Sequence, residues 1–337
     1  MTAVDRGAAD LGSLPAIGPA AICMGVFDGV HRGHQALLSA TVAGAAELGT
    51  ASVALVFDPH PDEVIHPGRH VPRLAPPEIV VERIRALGVD HPLLIRFDPA
   101  LRERTAEQFL RDLSPAIALR ALVMTPQSAF GHGRGGTVER MRQHGRGAGF
   151  AVLVVEPVLV DGEPVSSSRL RQATAEGDLA AVANLGQPSY LRGTVVEGDH
   201  RGRELGFPTA NLRFDYTPAL PPLGVYTGRV SVPERGVGPD HPALVSIGTR
   251  PTFHDKGRLL VEVYLLDYDG DLYGAALELE LLQRLREERR FASAEELVAQ
   301  MHRDEVDARA RLGRARAERK PARSGTIRGD TERNVEE

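Results

Sequence analysis

Cysteine is almost absent from this chain: Cys23 is the only one among 337 residues. That excludes an internal disulfide, and Cys23, set in an apolar run, reads as a small buried hydrophobe. No apolar run approaches the ~18 residues of a membrane span, so none is expected. A basic excess is missing as well, since 40 Lys and Arg stand against 45 Asp and Glu, a formal net charge of -5. Nucleic acid is therefore not an expected partner. The N-terminus carries Asp5, Arg6 and Asp10 and lacks the apolar core of a signal peptide. These absences describe a cytoplasmic globular protein with no membrane or obligatory protein partner.

What is present is ordinary in bulk, with 42% hydrophobic and 25% charged residues. Single cores rarely grow beyond about 250–300 residues, so two domains are expected. Residues 1–18, rich in Gly, Ala and Pro, read as a flexible arm. Apolar strands then alternate with helical patterns. The strands are Ala20–Met24, Ser52–Phe57, Pro92–Ile95, Ala121–Met124 and Ala151–Val155; helices include Pro77–Leu87 and Ala106–Leu113. This pattern predicts a parallel α/β sheet covered on both faces, with ligands beyond the carboxyl ends of its strands.

The first strand runs into Gly25-Val26-Phe27-Asp28-Gly29-Val30-His31-Arg32-Gly33-His34, followed by Leu37, Leu38, Thr41, Val42 and Ala45 at helical spacing. Strand, glycine-rich turn and helix aim backbone N–H groups at a phosphate. Histidines three apart can face one anion, and Gly33 lets the backbone approach it. By itself, H-x-G-H is equally a tight turn with two surface histidines. The ten-residue string, however, resembles the opening of bacterial riboflavin kinase/FAD synthetases, whose first module is a Rossmann-like HxGH nucleotidyltransferase. That resemblance implies that His31 and His34 hold the ATP triphosphate and stabilise charge during adenylyl transfer. Gly25, Phe27, Asp28 and Gly33 would line the same site.

Three later segments extend the likeness. Phe57-Asp58-Pro59-His60-Pro61 matches a family segment at the nucleotide, which implies a binding role for His60. Phe97-Asp98-Pro99 and Glu107-Gln108-Phe109-Leu110 also match and read as packing. Pro164-Val165-Ser166-Ser167-Ser168-Arg169-Leu170-Arg171 resembles the (I/V)-S-S-T-R-I-R motif. Serines opening a helix are ordinary caps; the resemblance adds Ser167 and Arg169 as catalytic groups and Ser168 and Arg171 as phosphate ligands. A helix from Gln172 to Leu185 closes this adenylyltransferase-like domain, 19–186.

One segment departs from the family. Where relatives carry Gly-x-(Asp or Asn)-Phe-x-Phe-Gly at the flavin, this chain has Thr125-Pro126-Gln127-Ser128-Ala129-Phe130-Gly131. Gln127 and Phe130 are the candidate flavin contacts left, and the missing aromatic at Ser128 should weaken or redirect the acceptor pocket. An FMN adenylyltransferase, a transferase with another acceptor, and an inactive module all stay open.

From Tyr190 the strands become short, β-branched and separated by Gly or Pro turns, which predicts an antiparallel barrel over 187–312. Gly198, Gly202 and Gly206 permit close approach to a nucleotide. Gly206-Phe207-Pro208-Thr209-Ala210-Asn211 resembles the PTAN signature of riboflavin kinases. It implies that Thr209 and Asn211 bind Mg²⁺ and the phosphates of ATP, with Pro208 in the loop. Ser246-Ile247-Gly248-Thr249-Arg250-Pro251-Thr252-Phe253 also fits the kinase. Glu262 is a lone acid in Leu260-Val261-Glu262-Val263-Tyr264, and a buried carboxylate is costly without a partner or role. The resemblance makes it the base for the ribityl hydroxyl, with Arg286 near the flavin. A helix from about Ala294 to Leu312 should pack on the barrel, and residues 313–337 read as a disordered charged tail. The expected substrates are riboflavin, FMN and ATP, with Mg²⁺. A flavin-binding regulator is the alternative from another class, disfavoured because a sensor need not keep a base and a metal site.

Overall fold

The computed structural model describes residues 8–186, 189–198, 205–250 and 258–318. Continuous apolar runs make the first sheet: β1 (Gly18–Gly25), β2 (Ala51–Asp58), β3 (His91–Arg96) and β4 (Ile117–Met124). After the two-residue strands β5 (Ala129–Phe130) and β6 (Gly136–Thr137) comes β7 (Ala151–Val154). The five long strands pair in parallel in the order β3-β2-β1-β4-β7. Helices cover both faces, as a parallel sheet requires. Alternation along β1 splits its side chains, with Ile22 facing Phe109, Leu113 and Met141 and Cys23 facing Leu38, Ile79 and Ile84. Helix α1 (Arg32–Leu48) buries Leu37, Leu38, Thr41 and Ala45 and ends at Gly49, whose φ of 63° suits a left-handed cap.

The remaining first-module helices are α2 (Pro61–Ile65), α3 (Pro77–Ala86), α4 (Pro99–Arg102), α5 (Ala106–Leu113) and α6 (Val138–Ala148). A small hairpin, β8 (Leu159–Val160) with β9 (Glu163–Pro164), leads to α7 (Ser167–Glu176) and α8 (Leu179–Leu185). The second module is a closed barrel of β10 (Ser189–Val196), β11 (Ala210–Arg213), β12 (Gly224–Val232), β13 (Val237–Arg250), β14 (Arg258–Leu265) and β15 (Ala276–Arg286). Its strands run in the order β10-β11-β14-β13-β12-β15, all antiparallel. The last helix spans Ala294–Glu318. Among the described residues no helix is long and apolar enough to cross a membrane.

Four details correct the sequence reading. Residues 8–17 of the expected arm are docked: Ala9 bridges to Ile95, and Leu11, Leu14 and Ile17 pack on the sheet. The helix expected over Gln172–Leu185 is two helices, broken at Gly177, whose φ is 80°. The domain border at 186 divides a shared structure, because Leu179 of α8 lies in the barrel core. The last helix runs six residues past Leu312, through the start of the expected tail; residues 319–337 lie outside the described set.

Candidate active sites

The turn after β1 is held in a costly conformation. Phe27 and Val30, both buried, adopt φ values of 53° and 40°, a region that L-residues avoid. Such strain persists where the surroundings over-determine it, and here Asp28 supplies the anchoring. Its Oδ1 accepts from the N–H groups of Leu74 and Ala75 at 2.9 and 3.3 Å, and its Oδ2 from Arg171 at 2.6 Å. Burial pushes the Asp28 carboxyl up, against the opposing pull of Arg171 and Arg73. Asp28 therefore shapes the loop from beneath.

His31 caps α1: its Nδ1 accepts from the His34 N–H at 3.2 Å. An accepting Nδ1 puts the proton of a neutral imidazole on Nε2. The two rings stack 3.6 Å apart, and Phe27 meets His34 edge-on at 5.2 Å. Burial, aided by the Arg171 charge, pushes His31 down to about 4 and His34 well below the usual imidazole range. Both rings are therefore neutral at pH 7. The buried Nδ1 of His34 has no hydrogen-bond partner. Gly33 packs so closely that an added Cβ would lie 3.2 Å from the His31 ring and 3.3 Å from the Val165 carbonyl.

Opposite stands the start of α7. Ser166 is the cap, accepting from Arg169 N–H, and the Ser167 hydroxyl donates to the Asp28 carbonyl at 3.0 Å. Gly25, Phe27, His31, Gly33, His34 and Ser167 line a cleft of about 1120 Å³. The other nucleotide candidates do not form this wall. Arg169, expected in the cleft, turns its guanidinium to the carbonyls of Val160, Glu163 and Pro164 and so pins the β8–β9 hairpin. Arg171, two residues on, faces Asp28, since positions i and i+2 of a helix point apart. Ser168 is exposed. His60 caps α2 by accepting from Asp62 N–H, and burial with the nearby Arg73 charge pushes it down.

The other end of the cleft holds an aromatic wall of which the sequence reading named Phe130 alone as a contact. Phe57, Phe97, Phe109 and Phe130 line it as a chain of edge-to-face rings, with centroids 5.7, 6.3 and 5.7 Å apart. In sequence Phe97 and Phe109 read mainly as packing; an isolated Phe carries no sign of which way its free face points. Gln127 is exposed at the rim, where its carbonyl accepts from Arg134. Ser128 does turn work, accepting from Thr125 N–H at 3.0 Å and sharing a 2.8 Å bond with its hydroxyl.

In the barrel, Glu262 on β14 pairs in register with Asn211 on β11 and Ser246 on β13. Paired residues of antiparallel strands share a face. Val261 and Val263 fill the barrel core, so Glu262 lies on the other face, half-buried. Strand alternation thus sets this acid outward from the core. It lines a cavity of about 870 Å³ with Gly198, Gly206's neighbours Phe207, Pro208 and Thr209, and Asn211. Among the described residues the buried Asn211 Oδ1 has no hydrogen-bond partner. An added Cβ at Gly198 would overlap the Asn211 amide. Gly206 takes a φ of 84°, as a turn glycine does, and Gly202 lies outside the described residues. Leu297, Met301 and Asp304 of the last helix close the cavity. Arg286 also lines it, clamped by Asp304 through bonds of 2.6–2.9 Å.

A parallel sheet ending in a histidine-lined cleft, joined to a barrel with an acid–amide pair in its cavity, defines a two-module nucleotide-dependent transferase. The family model described as FAD synthetase matches residues 15–169, and that described as riboflavin kinase matches residues 185–312. Bifunctional riboflavin kinase/FMN adenylyltransferases of Listeria monocytogenes, Pseudomonas fluorescens and Escherichia coli K12 are 35%, 37% and 36% identical. They cover 86%, 85% and 91% of this chain, and 91%, 91% and 97% of their own lengths. A solved structure described as a macrolide-efflux protein from Streptococcus pneumoniae superposes with a TM-score of 0.79 at 28% identity. That match covers 89% of this chain and 97% of the other. The chain belongs to the bifunctional riboflavin kinase/FMN adenylyltransferase family.

Proposed function

We infer that the barrel phosphorylates riboflavin to FMN and that the α/β module adenylylates FMN to FAD, both with ATP. The observation that carries the reading is that both family models match along one chain, each over a module with its own cavity. In the barrel, we assign Glu262 as the base that orients the ribityl hydroxyl and takes its proton. The orphaned Asn211 Oδ1 beside Thr209 suits an oxygen-seeking cation. Thr209 and Asn211 would hold Mg²⁺, which when bound offsets the charge of the transferring phosphoryl group. Arg286, fixed by Asp304, would stand beside the flavin.

In the α/β module no protein nucleophile is required: the FMN phosphate attacks the α-phosphate of ATP, and pyrophosphate leaves. Neutral His31, with its proton on Nε2, would donate to the triphosphate, and His34 would act beside it. The N-terminal end of α7, with Ser167, would receive the leaving pyrophosphate. Arg171 contributes charge from behind Asp28, and Arg169 fixes the adjoining hairpin. Phe57 and Phe130 give the acceptor an aromatic wall, so the exchange at Ser128 leaves a flavin site in place. A cytoplasmic setting belongs to this reading, supported by a single, buried cysteine. Chromatography of products from riboflavin and from FMN, each incubated separately with Mg-ATP, tests it. FMN carried on to FAD from the first and FAD from the second are expected; FMN formation alone would leave the α/β module with another acceptor.

A further inference from the structure

The connection between β11 and β12 belongs to the barrel, yet its middle is built into the other module. Arg73 N–H donates to the Thr217 carbonyl and Ala219 N–H to the Arg73 carbonyl, each at 2.8 Å. These bonds form a parallel bridge between Arg73 and Pro218. Arg73 itself is buried, with its guanidinium on Asp58 at 3.0 Å at the end of β2. The bridge therefore rests on a fixed residue.

Beside it, Ala219 is buried in an apolar cluster with Leu74, Val160, Val165, Leu170 and Leu185. Every other member comes from the first module. Two of them carry the phosphate-facing loops. Leu74 supports the turn after β1, where its N–H holds Asp28 and its side chain would lie 3.0 Å from a Cβ placed at Gly29. Val165 and Leu170 flank Ser166 and Ser167 at the start of α7, and Leu170 also reaches Gly29.

We propose that Ala219, carried by the kinase barrel, is a positioning residue for adenylyl transfer, because it completes the cluster on which both phosphate-facing loops rest. It touches no substrate; it acts through Leu74 and Leu170. The proposal rests on the reading that ATP binds between those loops. A shift of about 1 Å in such loops can cost roughly a hundredfold in rate. The same residue lies outside the barrel's own core cluster, so the kinase should not feel the change.

The test uses the full chain. Ala219→Leu overfills the cluster, and Ala219→Val does so less. For each, FAD formation from FMN and FMN formation from riboflavin are measured against ATP concentration. With Ala219→Leu the KM for ATP in FAD formation should rise about tenfold or more, while both constants of the kinase stay within about twofold. Ala219→Val, which serves if the Leu variant does not fold, should show the same one-sided shift at about three- to fivefold. Ala219→Gly should keep both reactions near wild type. His31→Ala is the control for the underlying site. If His31→Ala abolishes FAD formation but a folded Leu or Val variant leaves its ATP dependence unchanged, Ala219 is not a positioning residue. If both reactions fall by one factor, the residue serves only general stability and the proposal is likewise overturned. If His31→Ala leaves FAD formation intact, the ATP site itself is misassigned.

Discussion

Asn211 and Glu262 face each other across adjacent antiparallel strands, in direct register on β11 and β14. The amide oxygen of Asn211 is buried there without a hydrogen-bond partner among the described residues. Leaving a buried acceptor unsatisfied costs about 1–3 kcal/mol. Asn211→Ala should therefore not lower, and can raise, the Tm of the ligand-free protein, while riboflavin phosphorylation collapses. Thermal melting beside a kinase assay checks this. A destabilised Asn211→Ala protein would show that the oxygen has a structural partner.

The histidine pair makes stability depend on pH. An unfolded imidazole titrates near its ordinary 6.5, whereas His31 in the folded chain is pushed to about 4 by burial. Between those values the unfolded chain binds a proton that the folded chain does not. Stability is thus fully present above pH 6.5 and is lost as the pH falls towards about 4, by up to ~1.4 kcal/mol per pH unit for one group. His31→Asn keeps a capping acceptor and removes the titration. Its Tm should fall less steeply than that of wild type across the same window. Parallel curves would mean that His31 is not buried neutral.

At the acceptor end, the structure changes what Ser128 should do. Restoring the family's aromatic with Ser128→Phe removes the two bonds to Thr125, each worth about 1 kcal/mol. Without them the turn that carries the ring is no longer fixed, and ordering it on binding offsets a stacking gain of about 0.5–1.5 kcal/mol. The KM for FMN should therefore change little. Phe130→Ala, by contrast, opens the aromatic wall and should raise that KM about tenfold, with the kinase unaffected. Steady-state FAD formation against FMN concentration distinguishes the two variants.

Leu179 sets where the modules can be separated. It is 6% exposed in the barrel core although it precedes the motif boundary at Gly186. A fragment from Asp178 onward should outlast one from Gln187 in urea by about 2–3 kcal/mol, the worth of a buried leucine. Equal midpoints would show that α8 adds nothing to the barrel.

Much of this architecture was legible because its signals are local. Gly25 to His34 encodes strand, turn and helix within ten residues, and Gly206 to Asn211 encodes a turn entering a strand. The alternation around Glu262 carried its face too, once Val261 and Val263 are known to fill the core. Long-range pairing was not legible. Arg171 meets Asp28 across 143 positions and Ser167 meets its carbonyl across 139, so two arginines two residues apart looked alike in sequence. One braces the turn after β1 and the other a hairpin. The aromatic wall was hidden for the same reason, since Phe57, Phe97, Phe109 and Phe130 converge only in the fold.

The central claim is that two separate sites on one chain carry out successive reactions. The direct measurement is a crossed pair of variants, Glu262→Ala and His34→Ala, each supplied separately with riboflavin and with FMN under Mg-ATP. Glu262→Ala should lose phosphorylation by roughly 10²–10⁴-fold and still convert supplied FMN to FAD at the wild-type rate. His34→Ala should accumulate FMN from riboflavin and make no FAD. A variant that lost both reactions while remaining folded, or a Glu262→Ala enzyme that still phosphorylated riboflavin normally, would contradict the account.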